Sequence, residues 1–346
     1  SINLNAPITV TGAGTLSLTY NNQLGGSNTA GNLNFLSGNI SFTNVISGIT
    51  QGALSINAQP YTLVNSVNQL ATNATNTPSG FYALANNYNA FSDGIYASAP
   101  ISHLDGTFNG LGNAISNLVI SSSDQNVGLF GQVGSTGQIL NLGLLGGSVT
   151  GLATGGDIDF SSLVNVGALV GHNLGRITNV YATGSVSATG NYSLVGGLIG
   201  LNNGGTITNS YASGTVLGVM PITATGGLVG ANLQEGNSTN SYATGAVSGG
   251  ISGGLVGVNN NSLISNSYAT GAITGGAFVG GLSGANFSGT ISDSYATGTV
   301  IGGDYTYVGG LVGFNDFGLI TGSYATGTVT GGDGAFVGAL VGFTTP

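Results

Sequence analysis

Residues 226–245 read GGLVGANLQEGNSTNSYATG, and close copies of this stretch recur through the second half of the chain. The Tyr of the S-Y-A-T-G-like segment recurs every 26 to 31 residues, at Tyr181, Tyr211, Tyr242, Tyr268, Tyr295 and Tyr324. The Leu of the G-G-L-V-G block recurs at a similar interval, at Leu169, Leu198, Leu228, Leu255, Leu282, Leu311 and Leu340. Repetition at one period indicates an architecture built from stacked units.

The residue types of the repeat select the kind of unit. Gly, Thr, Val, Ile, Ser, Tyr and Asn favour strands and turns over helices, which excludes helical repeats. A propeller blade needs about 40 residues and four strands, which is longer than this repeat. Three short strands with three turns fit the observed period. We therefore predict an all-β fold, a right-handed parallel β-solenoid (β-helix) with about 28 residues per coil.

Strand alternation predicts which side chains face inward. Along Tyr211–Val216, the small or apolar Ala212, Gly214 and Val216 share one face, which we expect to point inward. Tyr211 and Ser213 lie on the opposite face and therefore point outward. This pattern predicts a candidate binding stripe of Tyr181, Tyr211, Tyr242, Tyr268, Tyr295, Tyr324, Thr183, Ser213, Thr244, Thr270, Thr297 and Thr326. The alternative is a structural role, in which the Tyr column only shields a corner of the solenoid or is buried under a turn. The Asn that ends the G-G-L-V-G-x-N block predicts a structural ladder of stacked amides, made of Asn173, Asn202, Asn232, Asn259, Asn286 and Asn315.

The first part of the chain is less regular. Ile2–Tyr20 and Gly38–Asn57 alternate like strands and resemble earlier coils of the same solenoid. Val64–Ala71 is the one segment with a helical pattern, with Asn65 or Ser66 as its cap. We therefore expect irregular N-terminal solenoid coils with one short helix over residues 1–125. A regular repeat solenoid, continuous with the first part, is expected over residues 126–346.

Composition excludes several classes of partner. The chain has ten acidic residues and a single cationic side chain, Arg176, for a net charge of -9. Nucleic acids and anionic membranes are bound through Lys and Arg, so neither is an expected partner. No apolar run approaches the roughly 20 residues that span a bilayer, so we expect no membrane insertion. The opening SINLNAPITV lacks the features of a secretory signal, which suggests a mature or trimmed chain.

The repeat resembles a known family. The G-G-L-V-G-x-N block followed by N-S-Y-A-T-G resembles the GLUG repeat of bacterial surface proteins over about Val127–Phe343. Tyr61–Leu70, Gly80–Leu84 and Gly106–Ile120 resemble the segment that precedes such repeats in filamentous-haemagglutinin-like secreted adhesins. The resemblance implies an exported bacterial β-helical adhesin or fibre, extracellular or on the cell surface. It implies no catalytic residues.

Few side chains are available for catalysis. The two histidines are His103, which has no evident catalytic partner, and His172, which occupies a position that is apolar or small in the sister repeats. Asp157 and Asp159 would share one strand face, as paired carboxylates do in polysaccharide-active enzymes. Enzymes that hold acidic sugar chains usually bring several cations, and Arg176 is alone. We therefore expect no enzyme, no catalytic residues and no cofactor.

A calcium site is the second chemical possibility. Gly-Gly-Asp recurs at Asp157, Asp304 and Asp333, and Asp293 and Asp316 add carboxylates in the last coils. Ca²⁺ takes six to eight oxygen ligands, and the dense nonapeptide calcium repeat is absent from this sequence. These residues therefore fit solvated turns better, and no metal site is expected.

Two functions of different kinds fit these observations. The first is a secreted or cell-surface adhesin or structural fibre, whose side-chain ladders contact a host or environmental surface, a glycan or a protein. The second is an extracellular filament or matrix subunit that associates with itself end to end or laterally. Ice binding through Thr297, Thr299, Thr326 and Thr328 is a remote alternative, because Ala246 and Ala272 interrupt the second Thr column. A polysaccharide-active β-helix enzyme is the second remote alternative.

Overall fold

The computed structural model describes residues 2–20, 33–35, 37–152, 163–189, 192–219 and 223–345. The chain folds as an all-β stack of parallel strands, a β-solenoid of about 11 turns with roughly 29 residues per turn, and only 4% is helical. The predicted all-β solenoid and its period near 28 residues are therefore confirmed.

Each complete turn contributes to five strand columns rather than the three predicted. The difference arises because the path bends at closely spaced corners, so that most strands are only two to five residues long. Column 1 follows the G-G-L turn and contains Ile101–Leu104, Phe130–Val133, Val170–Asn173, Ile199–Asn203, Val229–Leu233, Val256–Asn260, Ser283–Phe287, Val312–Asp316 and Val341–Thr344. Column 2 contains Phe81–Leu84, Thr107–Asn109, Gln138–Leu140, Arg176–Thr178, Thr206–Thr208, Asn237–Thr239, Leu263–Ser265, Thr290–Ser292 and Leu319–Thr321.

The other three columns complete the turn. Column 3 contains Tyr88–Asn89, Ala114–Ser116, Gly143–Leu145, Tyr181–Ala182, Tyr211–Ala212, Tyr242–Ala243, Tyr268–Ala269, Tyr295–Ala296 and Tyr324–Ala325. Column 4 contains Ile95–Tyr96, Val119–Ser122, Ser148–Gly151, Ser185–Ala188, Val216–Leu217, Val300–Gly302 and Val329–Thr330. Column 5 contains Asn126–Val127, Val164–Gly167, Ser193–Gly196, Ala224–Gly226, Tyr307–Gly309 and Phe336–Gly338. Val247–Gly253 and Ile273–Gly280 run through columns 4 and 5 without a break.

The core is a stack of like residues. Leu169, Leu198, Leu228, Leu255, Leu282 and Leu311 are completely buried and form one column. The backbone N–H of Leu228 donates to the carbonyl of Leu255 in the next turn at 2.9 Å, so the column is also tied through the main chain. Leu340, in the last turn, is 39% exposed because no further described turn covers it.

The glycines of the G-G-L-V-G block are explained by close approach of backbones. A Cβ atom at Gly226 would collide with the carbonyl oxygen of Val229, and one at Gly227 would meet the methyl of Ala243 at 2.7 Å. A Cβ atom at Gly230 would lie 2.6 Å from the amide nitrogen of Val195. These glycines let columns 5 and 1 pack main chain against main chain, which explains why the block recurs.

The described residues among the first 64 do not form the coaxial coils predicted for them. Six strands form three parallel pairs: Ile2–Leu4 with Leu33–Phe35, Ile8–Val10 with Ile40–Phe42, and Thr15–Leu18 with Ala53–Ile56. Val45–Ile46 and Ile49–Thr50 pair antiparallel, and Ala53–Ile56 turns back on Gln59–Val64 in a second antiparallel hairpin. This layer, which we call the N-terminal layer, has its own apolar core.

The N-terminal layer crosses the coils. The backbone N–H of Ile40 donates to Leu111 and that of Phe42 donates to Ala85, both at 2.9 Å. Ala85 and Leu111 belong to successive turns, so Ile40–Phe42 runs along the solenoid axis instead of adding a turn to it. The sequence could not show this, because the reversal is made by Asn57 and Ala58, which both adopt positive φ. The boundary proposed at residues 125 and 126 stays a prediction.

The α-helix spans Val67–Asn76, later than the predicted Val64–Ala71. Its cap is Ser66, whose hydroxyl accepts from the N–H of Gln69 at 3.1 Å. The Gln69 side chain in turn accepts from the N–H of Asn65. Val67, Leu70 and Ala74 join the core. A short 3-10 helix follows at Ala90–Asp93. Neither helix in the described part of the chain has the length and apolar character needed to cross a membrane.

Candidate functional site

Six tyrosines of column 3 form a continuous stack of rings. Successive ring centroids are 4.7 to 5.2 Å apart and the ring planes differ by 2 to 7° from Tyr181 to Tyr324. The rings are half-buried in the first five turns, and Tyr324 in the last turn is 52% exposed. We call Tyr181, Tyr211, Tyr242, Tyr268, Tyr295 and Tyr324 the Tyr stack.

Small neighbours on both sides hold each ring in place. The Ala after each of the first five tyrosines is completely buried, which fixes the strand with the ring on the outer side. The residue before the ring is a Ser in most turns. Its hydroxyl accepts from the backbone of the preceding turn, as when Ser241 accepts from the N–H of Ser210 at 3.2 Å. Burial raises the pKa of the Tyr211, Tyr242 and Tyr268 hydroxyls above the ordinary value.

A row of hydroxyl residues runs beside the Tyr stack. Ser213, Thr244, Thr270, Thr297 and Thr326 are exposed. Thr183 is half-buried, because its hydroxyl accepts from the N–H of Gly146 at 2.8 Å. The structure therefore brings all twelve residues of the candidate stripe together on the outside of the solenoid, with Tyr324 the one exposed ring among the six tyrosines.

The six predicted ladder asparagines are stacked and buried. Each Nδ2 donates to the Oδ1 of the next Asn at 2.7 to 3.0 Å, from Asn173 to Asn315. Each also donates to a nearby main-chain carbonyl, as Asn202 does to Gly205 at 2.9 Å. The ladder lies inside the wall, so its amides serve the stack and are not offered to a ligand.

A second asparagine column was missed from the sequence. Asn141, Asn179, Asn209, Asn240, Asn266 and Asp293 occupy the corner between columns 2 and 3, with φ of 48 to 56°. Asn and Asp are the side chains that best tolerate this left-handed backbone. The signal was present, because the Asn recurs two residues before each of the first four stacked tyrosines. We call these six residues the corner column.

The remaining candidates do not form a reactive cluster. The prediction that His103 has no partner is wrong, because its Nε2 lies 2.9 Å from Asp105 Oδ2, the carboxylate two residues along the chain. His172 is in register with Leu201, and burial lowers its pKa below the ordinary value. Its Nε2 is buried and makes no hydrogen bond to any described residue. Asp157 and Asp159 lie outside the described residues.

The acidic residues of the last solenoid coils lie at corners and strand ends. Asp304 Oδ1 accepts from the N–H of Asp333 at 2.8 Å. Asp293 occupies the corner column, and Asp316 ends a strand of column 1. Within the described ranges, no three His, Cys, Asp or Glu side chains come together in a way that could hold a metal ion.

Comparison with known proteins agrees with this geometry. The model of the GLUG motif matches residues 162–187, 191–217 and 304–330. The chain carries GLUG repeats. Each matched GLUG segment contains one ring of the Tyr stack, namely Tyr181, Tyr211 or Tyr324.

One relative extends the comparison. Halomucin of Haloquadratum walsbyi (strain DSM 16790 / HBSQ001) is 41% identical over 105 residues, which are 30% of this chain and 1% of halomucin. The aligned part is thus a very small share of that relative. The GLUG repeats, the solenoid and this similarity together indicate a surface or structural protein, with an extracellular or cell-surface location.

Proposed function

We propose that this GLUG solenoid is a non-enzymatic adhesive or structural fibre that contacts its target through the Tyr stack and the adjacent hydroxyl row. The observation that supports this most strongly is the alignment of six parallel rings beside five exposed hydroxyl residues. Tyr combines a large apolar ring with a polar tip, and it is enriched where proteins bind. The target is a host or environmental surface that presents glycan or protein.

Rigidity favours binding at this surface. Each of the four inner rings lies between two others, with centroids 4.7 to 5.2 Å apart, so little side-chain freedom remains to be lost when a target docks. The twelve stripe residues carry no charge, so attraction rests on stacking and hydrogen bonds. The binding free energy from one turn is small, and contacts from several turns add to it.

Replacing Tyr242, Tyr268 and Tyr295 together with Ser tests the proposal. Beads coated with purified chain are counted on surfaces of cellulose, chitin and collagen, and the melting temperature is measured on the same preparation. We expect a several-fold loss of adhesion for the triple variant. A matched control, Leu217→Ser with Ile301→Ser, removes apolar side chains that are 49% and 46% exposed on column 4. If the control lost as much adhesion as the triple variant, the Tyr stack would not be the contact surface.

Self-association is the second candidate function. The last turn exposes Phe336 by 53%, Val337 by 51%, Leu340 by 39% and Phe343 by 37%. Their main-chain edge is a template for another strand. We propose that a second copy of the chain stacks on this edge. Light scattering of the 346-residue chain and of a Val337→Lys variant tests this. We expect the 346-residue chain to form assemblies whose mass increases with protein concentration, and the Val337→Lys variant to stay monomeric.

A further inference from the structure

A groove of about 820 Å³ lies between the N-terminal layer and the start of the Tyr stack. Asn34 and Phe35 line one side, and Asn141, Asn179 and Asn209 of the corner column line the other. Two rings of the Tyr stack complete the lining, Tyr181 and Tyr211. The groove has the size of ordinary small-molecule sites, about 300 to 1,000 Å³.

One face of the first ring is left without an aromatic neighbour. Tyr181 stacks on Tyr211 on one side, at 5.0 Å. On the other side the preceding turn has Gly143 at the Tyr position. A Cβ atom at Gly143 would lie 2.5 Å from the Tyr181 ring, so only Gly fits beneath it. Among the described residues, Tyr181 therefore ends the stack, and it does so in the lining of the groove.

Amide groups beside the ring are available for hydrogen bonding. Asn141 donates to Asn109 at 3.2 Å, and Asn179 donates to Asn141 at 3.0 Å. This chain of amides stops at Asn179, whose Oδ1 accepts no hydrogen bond from the described part of the chain. The exposed Asn209 side chain likewise makes no hydrogen bond to the described residues. The groove thus presents unused amide donors and acceptors next to the edges of the Tyr181 and Tyr211 rings.

The wall opposite the coils is fixed in position. Asn39 Nδ2 donates to Asn113 Oδ1 at 2.6 Å, and Asn113 in turn donates to the carbonyl of Ile40 at 2.8 Å. Phe35 packs over Gly112, where a Cβ atom would lie 2.8 Å from the Phe35 ring. The groove is therefore preformed by contacts between segments far apart in the chain, and a ligand need not build it.

We propose that this groove binds a neutral oligosaccharide. A sugar has apolar C–H groups that pack against the edges of aromatic rings, and hydroxyls that both donate and accept, as Asn amides do. No charged side chain lines the groove among the described residues. Arg176 lies in the neighbouring groove, with its Nε donating to Thr178 at 3.1 Å. The lining therefore favours uncharged sugars over uronates. This site goes beyond the proposed function, because it can bind whether or not the exposed part of the stripe is adhesive.

Calorimetric titration of the full chain with cellohexaose, maltohexaose, chitohexaose and hexagalacturonate tests the proposal. We expect at least one of the three neutral hexasaccharides to bind more tightly than hexagalacturonate. Asn209→Ala should weaken that binding at least tenfold. The matched control is Asn266→Ala, which changes the same corner position with the same backbone conformation at a place outside the groove. It should change the affinity less than twofold.

Three results would overturn the proposal. They are no binding by any neutral hexasaccharide, tighter binding of hexagalacturonate, and equal losses for Asn209→Ala and Asn266→Ala. The triple Ser variant at Tyr242, Tyr268 and Tyr295 separates this site from the proposed adhesive stripe. It should keep its groove affinity even where its adhesion is lost, because none of those rings lines the groove.

Discussion

The Nδ2 of Asn232 donates to the Oδ1 of Asn259 in the next turn at 3.0 Å, and both side chains are completely buried. The Nδ2 of Asn259 in turn donates to the Oδ1 of Asn286 at 2.8 Å and to the carbonyl of Ser262 at 3.1 Å. Each amide in the ladder therefore depends on having both a donor and an acceptor.

Asn259→Asp should remove that donor and bury a carboxylate against two acceptor oxygens. We expect a loss of about 3 kcal/mol or more in the free energy of unfolding at neutral pH. The loss should shrink in acid, where the carboxyl becomes protonated and can donate again. Denaturant unfolding at both pH values measures it. The neighbouring Asn260→Asp, at an exposed position, is the control, and an equal loss there would contradict the ladder.

Gly257→Ala tests the close packing of columns 5 and 1. A Cβ atom there would lie 2.5 Å from the carbonyl oxygen of Gly230 and 2.7 Å from the amide nitrogen of Thr225. Because both neighbours are backbone atoms, we expect a loss of about 1 to 3 kcal/mol in unfolding free energy. Gly303→Ala is the matched control, since its nearest neighbour would be 3.9 Å away. Similar melting temperatures for the two variants would refute the packing argument.

His172 links stability to pH. Burial lowers its pKa in the folded chain below the unfolded value of about 6.5. Protonation therefore favours the unfolded chain, and the penalty appears as the pH falls through about 6.5 toward the folded pKa. His172→Leu introduces the residue that the next turn has at Leu201. Its melting temperature should exceed that of the parent chain by more at about pH 5 than at about pH 8. A constant difference would argue against burial of the imidazole.

The sequence predicted the repeat solenoid because each ladder repeats one residue type at one position. Tyr, Asn and Leu recur where the structure stacks them, so periodicity located the three columns and strand alternation placed the Tyr column on the outer face. The corner column was not predicted because its recurring Asn is also compatible with the polar outer face of a strand. That corner is also one reason for five strand columns instead of three.

The groove could not be predicted from any local pattern. It forms between Asn34 and Asn179, which are brought together only because the N-terminal layer runs along the solenoid axis. That arrangement depends on the hairpin at Asn57 and Ala58 and on hydrogen bonds such as that from Ile40 to Leu111. Asn34, Ile40, Asn57 and Ala58 lie outside the repeats, so periodicity carries no information about where they are placed.

The measurement that most directly tests the central claim is the adhesion of Thr270→Asp compared with Thr274→Asp. Both threonines are exposed, but Thr270 lies in the hydroxyl row beside Tyr268, whereas Thr274 lies on column 4. Each variant adds one negative charge to a solvated position, so neither should alter the melting temperature. If the Tyr stack and its hydroxyl row form the contact surface, Thr270→Asp loses adhesion to the surface that the parent chain binds, and Thr274→Asp keeps it. Equal adhesion of the two variants would contradict the account.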